Sequence, residues 1–189
     1  MVGVSLSLIS PFYPTEALSK GVSVTQTGMV MGSVFVTVIV STPVCGKYIH
    51  IFGAGICLII GSCIIGLGNF IFGFLSKVED SNSFFALSVV IRIIIAVGDS
   101  SAAPAAFTLA AIQMSKEHRG KAIAGVETSF AIGTMFGPTI GGCLFDSGGF
   151  PLPFYVTGGL MMLLSVMTSL FFRNKTADDS PTKNEKSLS

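Results

Sequence analysis

The chain has 189 residues; half are hydrophobic, 11% are charged and the formal net charge is +1. Soluble domains carry about 25% charged residues, so a sequence with a mean hydropathy of +0.77 cannot keep a soluble surface, which excludes a cytosolic enzyme. The near-zero charge gives no basic field for nucleic acid.

A helix needs about 20 apolar residues to cross the hydrocarbon core. Residues 1–13 are apolar but shorter than that. They lack a basic n-region and a small-residue cleavage site, which argues against a signal peptide. We read them as the end of a first span whose start is missing. Five full spans follow, near 28–46, 51–76, 84–114, 120–145 and 153–172. Residues 14–27 are expected to form the first connection, and Cys45 to Gly53 a tight turn. The span holding Pro104 is long and must tilt, bend or project. Residues 173–189 are polar and are read as a disordered tail. The domain plan is therefore a helical half-bundle over 1–172 followed by that tail.

Loop charge orients the bundle. Lys47, Lys116, Arg119, Lys121, Arg173, Lys175, Lys183 and Lys186 lie on one side, and only Lys20 and Lys77 on the other. Basic loops stay in the cytoplasm, so the tail and the N-terminus are both expected there.

Three ionisable residues fall inside spans: Arg92, Asp99 and Glu127. Charges at membrane depth face a cavity or a partner. Arg92 and Asp99 are seven residues apart, about 10 Å along one helix face, and could bracket a ligand. Glu127 reads either as a proton-accepting or cation-binding carboxylate, or as a structural partner of Arg92. Asp99 reads either as a second such carboxylate or as a group satisfied by Ser100 and Ser101.

Gly133, Gly137 and Gly141 make two consecutive GxxxG steps, with Pro138 and Gly142 inside the run. Glycine lets membrane helices approach closely, and Pro138 removes a helix hydrogen bond. No phosphate-binding loop, HExxH, GxSxG or Cys/His cluster occurs. No catalytic residue, metal or cofactor is therefore expected. Cys45, Cys57, Cys63 and Cys143 read as small apolar packing residues.

The stretch GTMFGPTIGGCLF, Gly133 to Phe145, resembles the Gly/Pro-rich motif in the fifth helix of Major Facilitator Superfamily antiporters. Arg92 stands where that family keeps a basic residue in helix four, with Gly98 at the expected offset. The segment from Gly46 and Lys47 to Gly53 has the glycine separation of the family's loop between helices two and three. His50 replaces its acidic residue and Ala54-Gly55 its basic cluster. Together with SLISPFYPTEALSKGVSVTQTGMVMG, these features resemble the vesicular amine transporter family (solute carrier family 18), especially its polyamine branch.

The resemblance implies an all-α membrane protein, the six-helix N-terminal half of a facilitator bundle with its first helix truncated. It implies proton-coupled antiport of a small organic cation, a polyamine or monoamine, in a vesicle membrane. The partners would be the lipid bilayer, the cation, protons and a missing C-terminal half. Glu127 is the leading proton or cation contact, Arg92 its coupling partner and Asp99 the second carboxylate. The alternative is a truncated, non-transporting isoform that binds or regulates a full-length transporter.

Overall fold

The structure, a computed structural model, describes residues 2–178. Among these it contains six α-helices and no strand: α1 (Val2–Ser19), α2 (Val24–Phe52), α3 (Ala54–Gly73), α4 (Ser81–Gln113), α5 (Arg119–Gly148) and α6 (Pro151–Asp178). A single 3₁₀ turn, Phe74–Lys77, closes α3. The segments Val24–Phe52, Ala54–Lys77, Ser81–Gln113 and Pro151–Phe172 are long and apolar enough to cross a membrane.

Local chemistry places the helix ends. Ser23 Oγ accepts the Gln26 N–H at 3.2 Å, and Gln26 Oε1 accepts the Ser23 N–H at 3.0 Å. This capping box satisfies two orphan donors and starts α2 at Val24. Asp80 caps α4 by a single bond, its carboxylate accepting the Ser83 N–H at 2.8 Å. Gly53 alone divides α2 from α3, at φ 87°, a conformation that disfavours any side chain.

Three expectations are corrected. Residues 14–27 are not one connection. α1 runs through Pro11 and Pro14 to Ser19, and the turn occupies only Lys20 to Ser23. Cys45 to Gly53 is not a turn either, because no residue between Val44 and Phe52 stops the helix; Gly46 and Lys47 lie within α2. α6 continues past Phe172 to Asp178. The rest of the sequence assigned to the tail, residues 179–189, lies outside the described residues.

α3 sits at the centre, packed on α4 and α6, while α2 packs on α4 and α1 on α5. Small residues permit the close approaches. A Cβ added at Gly61 would stand 2.8 Å from the backbone of Gly98 and Ala102, and one at Gly158 2.8 Å from Phe70 N. Ser165 Oγ donates to Ile59 O at 3.0 Å, tying α6 to α3. Ser41 and Ser100 share a 2.8 Å hydrogen bond between α2 and α4.

One end of the bundle is aromatic. Tyr13 stacks on Phe84 at 5.9 Å, and Phe72 meets both Tyr13 and Phe154. At this end Lys20 Nζ donates to the carbonyls of Leu75, Ser76 and Val78 at 3.1, 2.7 and 2.7 Å. It also pairs with Glu16 at 3.5 Å and lies over the Phe84 ring. The turns after α1 and α3 are thereby fastened together. Much of the outer surface is apolar, with Phe35, Ile39, Met135 and Phe171 all exposed, as lipid contact requires.

Candidate functional site

α4 carries Ser88, Arg92, Ala96 and Asp99 at spacings of four, four and three, which places them on one helical face. That face turns inward, and all four residues are buried. The polar groups held there need a protein partner, a ligand or water admitted by a cavity.

Asp99 has none within the protein. It is 8% exposed, and neither carboxylate oxygen has a hydrogen-bond partner. Its neighbour Ser100 does not reach it; that hydroxyl donates to Ala96 O at 2.8 Å and meets Ser41. Ser101 turns away, donating to Cys57 O at 3.1 Å. Asp99 instead lines a cavity of about 330 Å³ between α2, α4 and α5, with Val38, Thr42 and Phe130. A second cavity of about 500 Å³ shares Ala103, Phe107 and Phe130 with the first and continues along α5. The result is an apolar, partly aromatic cleft with one carboxylate on its wall.

Arg92 is 3% exposed, and its Nε has no hydrogen-bond partner. It opens on a different cavity, of about 160 Å³, with Ile9, Ser10, Met31, Val34 and Phe35. The two α4 charges therefore do not bracket one space. Glu127 is not brought to either. It is exposed on α5, and the ion pair expected with Arg92 does not form; among the described residues the ion pair within 4 Å is Lys20 with Glu16.

The glycine run divides along the helix. Gly133, Gly137 and Gly141 are buried against α1, where added Cβ atoms would meet Val4, Ser7, Leu8 and Phe12. Gly142 faces open space, and α5 continues unbroken through Pro138. Gly46 and Gly53 have nothing within 4 Å of an added Cβ.

Sequence reasoning missed the buried polar residues of the other helices. Asn69 on α3 donates to Ser5 Oγ on α1 at 2.5 Å, and its Oδ1 is left unpartnered. The Tyr13 hydroxyl of α1 is buried beside Ser88 of α4. The signal available was an uncharged polar residue inside an otherwise apolar run, such as Asn69 in GLGNFIF.

A bundle of apolar helices enclosing unpaired charges and cavities is that of a multi-pass integral membrane protein. The chain belongs to the Major Facilitator Superfamily, whose pattern it matches over residues 1–188, a family of transport proteins rather than enzymes. It is 29% identical over 172 residues to the human MFS-type transporter SLC18B1, covering 91% of this chain and 38% of that protein. It is 26% identical to Multidrug resistance protein MdtG of Serratia proteamaculans, covering 93% of this chain and 42% of that one. Multidrug resistance protein 1 of Bacillus subtilis is 22% identical, over 97% of this chain and 46% of its own length. The chain thus spans about two fifths of the length of these relatives.

Proposed function

We propose that this chain forms part of the pathway of a secondary transporter for a small organic cation, a polyamine or monoamine, exchanged for protons. The observation that carries the reading is Asp99, a buried carboxylate with both oxygens free on the wall of a cavity. A carboxylate in that setting accepts either a proton or a cation, because both neutralise it. Competition for one group links the two movements: proton arrival releases the cation, and cation arrival releases the proton. Phe107 and Phe130 offer ring faces to an ammonium and apolar contact to its carbon skeleton. Relatives named as a transporter and as multidrug resistance proteins agree with small-solute transport.

Asp99 takes the role first expected of Glu127. Glu127 lies on the exposed side of α5, open to a neighbouring helix or headgroup. Arg92, on the same buried face of α4 two turns away, adds a fixed positive charge to the surroundings of Asp99. The loop charges put the N-terminus, the α2–α3 and α4–α5 turns and the tail in the cytoplasm. The membrane is that of a vesicle, by the resemblance to amine transporters.

The test is uptake of labelled spermidine and serotonin into proteoliposomes under an imposed pH gradient, using the longest natural protein that contains this chain. Asp99→Asn is expected to reduce uptake at least tenfold, with Glu127→Gln close to the unmodified protein. Full uptake by Asp99→Asn, or no gradient-driven uptake of either amine by folded protein, contradicts the proposal.

A further inference from the structure

The cation pathway leaves Arg92 unexplained. A guanidinium stays protonated in proteins, and a buried charge needs a counter-charge close by. None is present. Asp99 lies two turns away on another cavity, Glu127 is exposed, and among the described residues no carboxylate comes within 4 Å of Arg92. Two hydroxyls lie nearby, that of Tyr13, whose ring packs on Phe72 and Phe84, and that of Ser88, one turn earlier on α4, and neither is hydrogen-bonded to Arg92. A buried guanidinium on a cavity wall, with its Nε unpartnered, offers an anion charge-assisted hydrogen bonds. There is also room for one. The cavity at Arg92 is about 160 Å³, walled by Ile9, Met31 and Val34, and Ser10 and Phe35 are exposed at its rim.

We propose that the cavity between α1, α2 and α4 is a binding site for a small monovalent anion, a halide or a carboxylate, held by Arg92. The single charge of Arg92 matches a single negative charge. The apolar walls disfavour a multivalent anion, whose excess charge would stay unpaired. This site is distinct from the cation pathway and stands whether or not amines are carried.

The sequence supplies its own reporter. It has three tyrosines, Tyr13, Tyr48 and Tyr155, and no tryptophan. In the full chain carrying Tyr48→Phe and Tyr155→Phe, tyrosine emission comes from Tyr13 beside Arg92. Iodide is titrated against gluconate at constant ionic strength in detergent, with helicity followed by circular dichroism. The expected result is saturable quenching, relieved by chloride for a halide site or by acetate for a carboxylate site. Arg92→Met should weaken iodide binding at least tenfold. Should Arg92→Met fail to fold, Ser10→Phe blocks the exposed rim with Arg92 in place, and the same loss is expected. Quenching that rises linearly with iodide and is indifferent to Arg92→Met or Ser10→Phe would overturn the proposal. So would saturable quenching that neither chloride nor acetate relieves.

Discussion

Replacing Lys20 by Met would strand the carbonyls of Leu75, Ser76 and Val78 without their charged donor. Charge-assisted bonds contribute about 1.5–3 kcal/mol each, and they are not additive. We expect Lys20→Met to cost about 2–3 kcal/mol of stability, read as a lower melting temperature in detergent. The exposed Lys121→Met should change it by no more than about 0.5 kcal/mol. Asp80 gives a pH dependence at the same end of the bundle. The hydrogen bonds from the Ser83 side chain and backbone hold its carboxyl below the usual range. A lowered folded value means that its stabilisation is present above the unfolded value, about 4, and is lost as pH falls through the folded one. The melting difference between the unmodified chain and Asp80→Ala should therefore be full at pH 6 and shrink as pH falls below about 4. A difference independent of pH would show that the cap acts without its charge. Lys20 was visible in the sequence, but only as a loop charge. What Lys20 binds depends on which two turns the packing brings together, and no spacing within the chain states that.

At the scale of the helices, the glycine run on α5 offers an internal comparison. A Cβ at Gly137 would collide with Ser7 Oγ and lie 3.2 Å from Val4 O, which is backbone and cannot move aside. Overpacking of this kind costs about 1–3 kcal/mol. At Gly142 nothing lies within 4 Å, so alanine there should gain up to about 1 kcal/mol from helix propensity. Opposite signs for Gly137→Ala and Gly142→Ala in thermal melts are the expected outcome; equal effects would mean that α1 does not pack on this stripe. The stripe itself was legible from its four-residue spacing, although its partner, α1, was not. Helix ends were legible only in part. Ser23-Val24-Thr25-Gln26 is a capping-box sequence, and reading it as such would have started α2 four residues earlier than the apolar run suggested. The end of α1 was obscured for a different reason. Pro11 and Pro14 signal a break locally, yet the packed partners of α1 hold the helix together through both.

For the molecule as a whole, composition alone established the membrane class, since lipid is the only solvent that tolerates so apolar an exterior. The inside is another matter. Arg92, Asp99 and Glu127 look alike in a hydropathy reading, each a charge within an apolar span. Folding separates them: α4 is buried on the face that bears Arg92 and Asp99, whereas α5 presents Glu127 outward. Seven-residue spacing correctly placed the two α4 charges on one face. It could not show that they open on separate cavities, Arg92 beside Met31 and Val34 of α2 and Asp99 beside Val38 and Thr42, because that depends on how α1, α2 and α5 lean on α4. The resulting arrangement places a carboxylate on a cleft toward α5 and a guanidinium on a pocket toward α1.

The central claim is that Asp99 makes the first of these a cation-selective, water-accessible space. It is tested most directly by thiol accessibility at Thr42, which shares the cavity with Asp99. With Cys45, Cys57, Cys63 and Cys143 replaced by alanine, Thr42→Cys is treated with methanethiosulfonate reagents of equal size, one cationic and one anionic. The account predicts that the cationic reagent reacts at least tenfold faster, and that Asp99→Asn removes the preference. Equal rates for the two reagents with Asp99 in place, or a preference that survives Asp99→Asn, would contradict it.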